Sequence, residues 1–441
     1  MSAIARILLE RGERVTGSDA ADSPLVQELR AAGATISIGH DAGNVNGAST
    51  VVVSAAIDPE NAEYRSALER GIPIVRRGEM LARIMEGSRG IAICGTHGKT
   101  TTTAMAAAVL RGAKIDASLV LGGIDGAMGT NAHNGSAQWF LTEADESDGS
   151  FSLLDPVVAV VTNIENDHLS SDAELPKLVA DFEEFLSRVP AGGTAIVGVD
   201  NPLSRSLAPV ARRAPTLTFG IAADAAVHAS NIRFGELQST FDLFVDGARL
   251  GTIELQVPGA MNVENALAAV AVGRALEIPF ASIAESLGDF RGVRRRFDVL
   301  VKGPRMIVVD DYAHHPTALR ETIAAARRYH RGPIVAAFQP HRYTRTAYLA
   351  PAFAEALADA DRVYLTPIYA AGETPIDGVS ERLIGDRLEA AGVPLSYVNY
   401  VHDLREVLQR EVPQNALVLM LGAGNITKIA GELARDVLGS L

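Results

Sequence analysis

The sequence predicts an α/β protein made of three consecutive domains, and three observations carry that prediction. A chain of 441 residues exceeds what one hydrophobic core organises. Short apolar runs alternate with helix-period stretches almost throughout, the pattern of parallel sheets with crossover helices. One run, Ile91 to Cys94, leads directly into Gly95-Thr96-His97-Gly98-Lys99-Thr100-Thr101-Thr102-Thr103, a glycine turn opening a helix.

Residues 1–88 form the first α/β domain, Rossmann-like in pattern. Ser2 to Arg11 reads as an amphipathic helix, Arg14 to Gly17 as a short strand ending at Ser18-Asp19, Leu25 to Ala32 as a helix, and Val51 to Ser54 as a buried strand. A nucleotide-binding unit of this kind normally starts with a strand and a glycine-rich turn, and here the pattern starts inside a helix. Asp19, at a strand end, stands where a carboxylate can bond a ribose or a base.

Residues 89–295 form the second domain. Gln138 to Leu141 and Val157 to Thr162 read as central strands, the latter nearly unbroken in apolar residues as a sheet buried on both faces requires. Thr194 to Val197, Leu217 to Phe219 and the stretch from Phe234 to Val257 alternate more and suggest hairpins, and Asn262 to Leu276 reads as a long helix. Residues 296–441 form a third domain, again Rossmann-like. Its strands are expected at Met306–Val309, Ile334–Phe338, Arg362–Thr366 and Ala416–Leu421, with helices at Pro316–Tyr329 and Tyr348–Leu357. The Gly422 to Asn425 turn reads as a helix start rather than a second phosphate loop.

Composition narrows the class. A net charge of −13 argues against a general binder of nucleic acid or of anionic membrane, while leaving room for a local basic pocket. The single Cys94 excludes a disulfide framework and a multi-cysteine metal site, and fits a reducing, cytoplasmic setting. Its place in an apolar strand predicts a packed thiol. No secretory leader is evident, and no apolar run reaches the ~18–20 residues of a membrane span.

The chemistry concentrates after strands. Glycines at 95 and 98 let backbone N–H groups approach a phosphate chain, Lys99 supplies positive charge, and Thr100 offers a hydroxyl to Mg²⁺. The spacing is two residues between the glycines, where the standard P-loop has four. Thr142-Glu143-Ala144-Asp145-Glu146-Ser147-Asp148 places four carboxylates at a strand's end, either as a solvated loop or around a cation. Glu143, nearest the strand, is the candidate ligand. His168, after the next strand, is either an ordinary hydrogen-bonded histidine or a second ligand, and imidazole is unusual on Mg²⁺. In the third domain His314 and His315 follow one strand and Arg342 and Arg345 follow the next. Arginine grips carboxylate or phosphate through two parallel hydrogen bonds. These loops read either as solvated salt-bridge segments or as one wall of a closing cleft.

Taken together, Gly95 to Thr100, Thr142 to Asp148 and Asn163 to His168 resemble the ATP-dependent Mur ligases of peptidoglycan synthesis. The Asp310-Asp311-Tyr312-Ala313-His314-His315-Pro316 and Phe338-Gln339-Pro340-His341-Arg342-Tyr343-Thr344-Arg345-Thr346 segments are similar to the alanine-adding branch, and the likeness runs in order along essentially the whole chain. The resemblance implies a three-domain ligase, monomer or dimer, that joins L-alanine to UDP-N-acetylmuramate through an acyl phosphate. It implies ATP as cofactor, held by Gly95, Thr96, His97, Gly98, Lys99, Thr100 and Thr101, with Asn262 and Asn265 at adenine and Arg296 on the nucleotide. It implies one Mg²⁺ on Thr100 and Glu143 and a second at His168. Ser18, Asp19 and Ser54 are the candidates for the sugar nucleotide. Lys99, His314, His315, Arg342 and Arg345 are the candidates for catalysis, the last four at the alanine end. A neutral imidazole there could take the ammonium proton.

Two departures stand out. Gly259-Ala260-Met261-Asn262 replaces the family's Gly-Arg-His-Asn, so a polar contact near adenine is lost. The strand and glycine loop that would cradle the sugar nucleotide's diphosphate are not found before Met1; the expectation is a start codon further upstream, the alternative a loss of sugar binding. A related ligase recycling a whole peptide onto the same sugar is one competing reading. A nucleotide-binding protein that has lost catalysis is another.

Overall fold

The structure is a computed structural model and describes residues 1–146, 149–166, 174–209 and 214–439. It divides into two compact units, the first comprising Met1–Ile164, Lys177–Gly220 and Ala268–Ser286, the second Glu165–Pro176, Ile221–Leu267 and Leu287–Leu441.

The first unit begins with α1 (Ser2–Glu10), which buries Ala3, Ile4 and Ile7. Strands β1 (Thr16–Asp19) and β2 (Thr35–Ile38) pair in parallel around α2 (Pro24–Ala31), whose first turn is capped by the Ser23 hydroxyl accepting from the Val26 N–H. Strands β3 (Val51–Val53) and β4 (Ile74–Arg76) make a second parallel pair, followed by the capped helices α3 (Ala62–Glu69) and α4 (Arg77–Met85). The two pairs are separate sheets. Val51 to Val53, expected to be buried, are therefore only half-buried, because β3 has a neighbour on one side alone. The first strand also starts two residues later than the apolar pattern suggests.

The larger sheet of this unit contains β5 (Arg89–Cys94), β6 (Ser118–Val120), β7 (Ala132–His133), β8 (Trp139–Glu143), β9 (Val158–Val161), β10 (Thr194–Gly198) and β11 (Thr216–Gly220), in the order β11-β10-β9-β5-β8-β6-β7. Every pairing is parallel except β6 with β7. This corrects the expectation of hairpins at 194–197 and 217–219. Ala195, Ile196 and Val197 are fully buried, so the run is an interior parallel strand whose short length hid its two-sided burial. Around the sheet lie α5 (Lys99–Gly112), which is buried for most of its length, α6 (Leu175–Ser187) and the short α7 (Pro202–Arg205). Phe151, Phe182 and Phe185 pack with ring centroids 5.3 and 5.6 Å apart and hold α6 in place. Helix α8 (Ala260–Ala275) is continuous, and α9 (Phe280–Gly288) follows it.

In the second unit β12 (Val227–Phe234), β13 (Ser239–Val245) and β14 (Ala248–Leu255) form an antiparallel meander, as expected. Its tight turn, Asp246-Gly247, takes positive φ at both residues. A six-stranded sheet follows in the order β15-β16-β20-β17-β18-β19, from β15 (Asp298–Lys302), β16 (Met306–Asp311), β17 (Ile334–Phe338), β18 (Arg362–Leu365), β19 (Leu395–Tyr397) and β20 (Ala416–Leu421). Only β15 runs antiparallel. The covering helices are α10 (Pro316–Tyr329), α11 (Tyr343–Leu357), α12 (Arg382–Ala390), α13 (Leu404–Glu411) and α14 (Ile426–Gly439). Helix α11 starts five residues before the expected position, so Arg345 belongs to a helix and not to a loop. The turn before α14 is a helix start, its Ile426 N–H accepted by the Gln339 side chain at 3.1 Å. Among the described residues no helix is long and apolar enough to cross a membrane.

Replacing Phe182 with Ala should lower the unfolding free energy by about 3–5 kcal/mol, since a fully buried ring is removed from a three-ring cluster. Urea unfolding of the purified chain measures this directly; a change near zero would show that α6 is not anchored by that cluster.

Candidate active site

The first unit's sheet ends in a loop shaped by two glycines. Gly95 has φ +126°, and a Cβ there would stand 2.1 Å from the Thr162 hydroxyl oxygen. Gly98, at φ 82°, is the N-cap of α5. Only glycine adopts these conformations without strain. The loop is then tied to the end of β9: the Thr96 N–H donates to the Asn163 carbonyl at 3.0 Å and the His97 N–H to Asn163 Oδ1 at 2.8 Å. In return the Thr162 hydroxyl and the Asn163 amide donate to the His97 carbonyl at 2.7 and 3.2 Å. The α5 start that follows has first-turn N–H groups with no intrahelical acceptor, which is the standard feature of an anion site. Thr101, Thr102 and Thr103 are buried, and the Thr103 hydroxyl bonds back to the Lys99 carbonyl at 2.8 Å.

Thr100 and Glu143 meet as expected. The Thr100 hydroxyl donates to Glu143 Oε2 at 3.0 Å, and Glu143 Oε1 accepts from the Gly122 N–H at 2.5 Å. A hydroxyl and a carboxylate on adjoining elements are the hard oxygen donors that Mg²⁺ takes. Lys99 has a partner the sequence reading did not single out. Its ammonium donates to both carboxylate oxygens of Glu146, at 2.8 and 2.9 Å, and also to the carbonyls of Gly95 and Thr96 at 2.6 and 3.2 Å. Burial pushes Glu146 up to about 7 in spite of that neighbour. Burial also works against the Lys99 charge, but Glu146 and Asp145 outweigh it and leave the ammonium's pKa raised. Asp145 lies 3.7 Å from Arg77. The expected packed thiol is present: Cys94 is fully buried, points at the Val160 carbonyl, and is held well above the usual thiol range by desolvation. His168 and Asp148 lie outside the described residues.

Elsewhere in this unit the Ser18 hydroxyl donates to Glu63 Oε2 at 2.8 Å and pairs with His40 Nδ1 at 3.0 Å, while the Asn44 amide donates to Glu63 Oε1 at 2.8 Å. Glu63 and His40 were not anticipated, because their link to Ser18 spans 45 and 22 residues of sequence. Asp19 is exposed and accepts the Ala21 N–H at 3.0 Å; Ser54 follows β3 and accepts from Ile57 N–H through its carbonyl.

In the second unit Asn262 and Asn265 share one face of α8, the Asn265 amide donating to Asn262 Oδ1 at 3.2 Å and Asn262 to the Pro258 carbonyl at 2.7 Å. The Arg295 and Arg296 guanidinium groups both stack on the Tyr312 ring, at 4.8 and 4.9 Å. His314 lies edge-on to Tyr312 and to His341, and His341 Nδ1 is 3.4 Å from Arg345. His315 turns away from this group. Its Nδ1 stands 3.9 Å from Glu165, which also accepts the Thr317 hydroxyl at 2.7 Å. The arginine pair also separates. Arg345 is buried, while Arg342 is exposed, contributes its backbone to the start of α11 at φ 69°, and has its side chain in solvent. The physical reason is helical: positions 342 and 345 straddle the first turn, and only the latter faces inward.

Family models for the Mur ligase family catalytic domain, the Mur ligase middle domain and the Mur ligase glutamate ligase domain match residues 1–89, 93–273 and 295–424. A UDP-N-acetylmuramate–L-alanine ligase of Syntrophotalea carbinolica is 44% identical over 438 residues, covering 98% of this chain and 95% of the relative. The chain belongs to the Mur ligase family. A second relative of the same name, from Geobacter sp. strain M21, is 42% identical over 97% of this chain and 93% of its own length. Among solved Mur ligase structures, UDP-N-acetylmuramate-alanine ligase MurC from Thermotoga maritima superposes with a TM-score of 0.85 at 29% identity, covering 100% of this chain and 97% of that one. A murein peptide ligase from Psychrobacter arcticus gives 0.75 at 22% identity, with coverage of 100% and 97%, and so shares the three-domain α/β Mur ligase fold.

Replacing Gly95 with Ala should weaken binding of ADP at least tenfold and lower stability by about 1–3 kcal/mol, because the methyl cannot fit beside Thr162. Calorimetry with ADP and a thermal melt check the two parts; an unchanged affinity would remove the loop from the nucleotide site.

Proposed function

We propose that this chain is an ATP-dependent ligase that joins L-alanine to UDP-N-acetylmuramate in peptidoglycan precursor synthesis. The single observation that carries the reading is the glycine-turn loop with Lys99 at the start of α5 and the Thr100–Glu143 pair beside it. Full-length identity of 41–44% to relatives bearing that ligase name supports the choice of substrates. The three domains divide the work: residues 1–88 take the sugar nucleotide, with Ser18, Asp19 and Ser54 near it, 89–295 take ATP, and 296–441 take the amino acid. The reaction runs in the cytoplasm, where ATP is supplied.

The muramate carboxylate attacks the γ-phosphorus of ATP, the bond to the bridging oxygen breaks, and ADP leaves with an acyl phosphate formed. The alanine amine then attacks the acyl carbon, and phosphate leaves. Both partners in the first step are anions, so the protein's task is charge compensation and alignment. Gly95 to Thr101 supply backbone donors, and Lys99 supplies the cation. Thr100 and Glu143 would hold Mg²⁺, which withdraws charge from phosphate oxygens when bound. Asn262 and Asn265 offer amides for an adenine edge, and Arg296, stacked on Tyr312, offers a guanidinium for the nucleotide.

At the amine end His314 is the best-placed base. Its Nδ1 sits 2.8 Å from the Tyr312 carbonyl, which can only accept, so Nδ1 carries the hydrogen and Nε2 is the basic nitrogen. Only the free amine is nucleophilic, and Nε2 can take the ammonium proton. Arg345, buried beside His341, is suited to the alanine carboxylate.

Phosphate release from ATP should require both UDP-N-acetylmuramate and L-alanine. Lys99→Ala should reduce it by at least about 10²–10³-fold. Glu143→Gln should raise the Mg²⁺ concentration needed for half-maximal rate, with partial recovery at high Mg²⁺. Release without the sugar nucleotide, or full activity of Lys99→Ala, would refute the assignment.

A further inference from the structure

Every donor of the Lys99 ammonium is engaged in this structure, on Glu146 and on the carbonyls of Gly95 and Thr96. A lysine that is to meet phosphate must give up one of these partners. The two carbonyls are neutral and belong to the loop that wraps the phosphate. Glu146 is an anion in a nearly closed space, its side chain 4% exposed, and it competes with phosphate for the same cation. We propose that Glu146 is the counter-ion which Lys99 exchanges for the nucleotide's phosphates, and that Glu146 takes up a proton from solvent as the exchange occurs. The inference rests on the reading of Gly95 to Thr101 as the phosphate loop.

The proton follows from the surroundings. Once Lys99 turns to phosphate, an ionised Glu146 would be left buried next to a polyanion, with Asp145 on its own loop and the neutral Cys94 thiol of β5 as neighbours, while Glu143 at the end of β8 faces Lys99. Among the described residues Arg77 of α4 is a further nearby cation; it stands 3.7 Å from Asp145 and donates to the Ser150 hydroxyl at 3.4 Å. A buried carboxyl group in such a field is neutral. Glu146 already titrates near 7 with Lys99 beside it, so the nucleotide has only to complete a protonation that burial has begun. The sign is definite. The bound state holds more protons than the free state above pH 7, so nucleotide affinity falls about tenfold per pH unit there until the bound form itself loses the proton. Below pH 7 the dependence vanishes, because the free protein is already protonated. In this role Glu146 is a positioning residue: it keeps Lys99 in the empty loop and releases it to phosphate.

The test is calorimetric titration of ADP with Mg²⁺ into the full chain at pH 8, in two buffers of differing ionisation enthalpy. The wild-type chain should take up close to one proton per ADP. Glu146→Gln, a neutral mimic of the protonated form, should take up none and bind about tenfold more tightly at pH 8, with the advantage gone at pH 6. Binding by the wild-type chain with no proton uptake would overturn the inference and leave the phosphate-loop reading standing. So would Glu146→Gln binding more weakly at both pH values. Failure of the wild-type chain to bind ADP at all would overturn both. The wild-type measurement decides the matter even if the variant does not fold.

Discussion

The turn at Gly95 is the constraint on which the nucleotide-site geometry depends. Strand β5 lies between β8 and β9 and is hydrogen-bonded on both sides, so its exit point cannot shift without breaking two ladders. The chain must leave it directly over Thr162 and Asn163, in space that excludes a single methyl group. That closeness is what allows Asn163 to hold the backbone of Thr96 and His97, and the hold in turn fixes where α5 begins. The first residue of α5 is Lys99, the second Thr100, and the neighbouring strand β8 ends at Glu143. Parallel pairing of β5 with β8 therefore brings a hydroxyl and a carboxylate within 3.0 Å without any long-range tuning.

Buried carboxylates at strand ends recur in the second unit, where they support backbone strain. Arg295 and Phe297 both take positive φ, at 63° and 48°, which costs non-glycine residues about 1–2 kcal/mol each. Asp311 compensates. One of its oxygens accepts the Phe297 N–H and the other the Ala313 N–H, both at 2.7 Å, charge-assisted bonds of the stronger kind. Its complete burial raises its pKa, so those bonds partly offset the cost of keeping the charge. The strained segment is what turns the Arg295 and Arg296 side chains onto the same ring of Tyr312. Asp310, one position earlier, is pushed up to about 6 by burial and accepts the Thr427 hydroxyl at 2.6 Å from α14. Asp311 thus braces the segment from the neighbouring strand β16, and Asp310 ties that strand to α14.

Much of this was legible in the sequence because it is local. Strand-turn-helix at 91–103, the apolar run of β9, the helix over 316–329 and the Asp-Gly turn of the meander each declare themselves within a dozen residues. Thr100 with Glu143 was also readable, since each stands at the end of an element whose direction the pattern gives. What escaped were relations set by packing. Glu146 was one carboxylate of four in a run, and nothing in the run says which one turns inward to Lys99. Glu63 meets Ser18 only through the fold. Strands β10 and β11 were mistaken for hairpins because five-residue strands are too short to separate alternation from full burial. Arg345 was placed in a loop because the aromatic and threonine residues around it are weak helix formers, and a buried inner face overrode that propensity.

The fold by itself cannot say which amine the ligase accepts. The Psychrobacter peptide ligase shares it at a TM-score of 0.75, but at 22% identity that likeness reaches no further than architecture. On the reading proposed above, discrimination comes from the amine end. His314 meets His341 edge-on and His341 stacks on Tyr369, with ring centroids 5.7 Å apart at each step, and Arg345 approaches His341 from the first turn of α11. Arg345 is nearly fully buried, and there a guanidinium binds a carboxylate more strongly than it binds a neutral acceptor. In a free amino acid the carboxylate is separated from the amine by one carbon, so on that reading His314 and Arg345 would engage the two ends of one small molecule. In a peptide substrate the first residue's carboxyl is already an amide, which offers Arg345 a weaker, uncharged acceptor. On that reading alanine is preferred to a peptide because it presents a carboxylate, and not an amide, to Arg345.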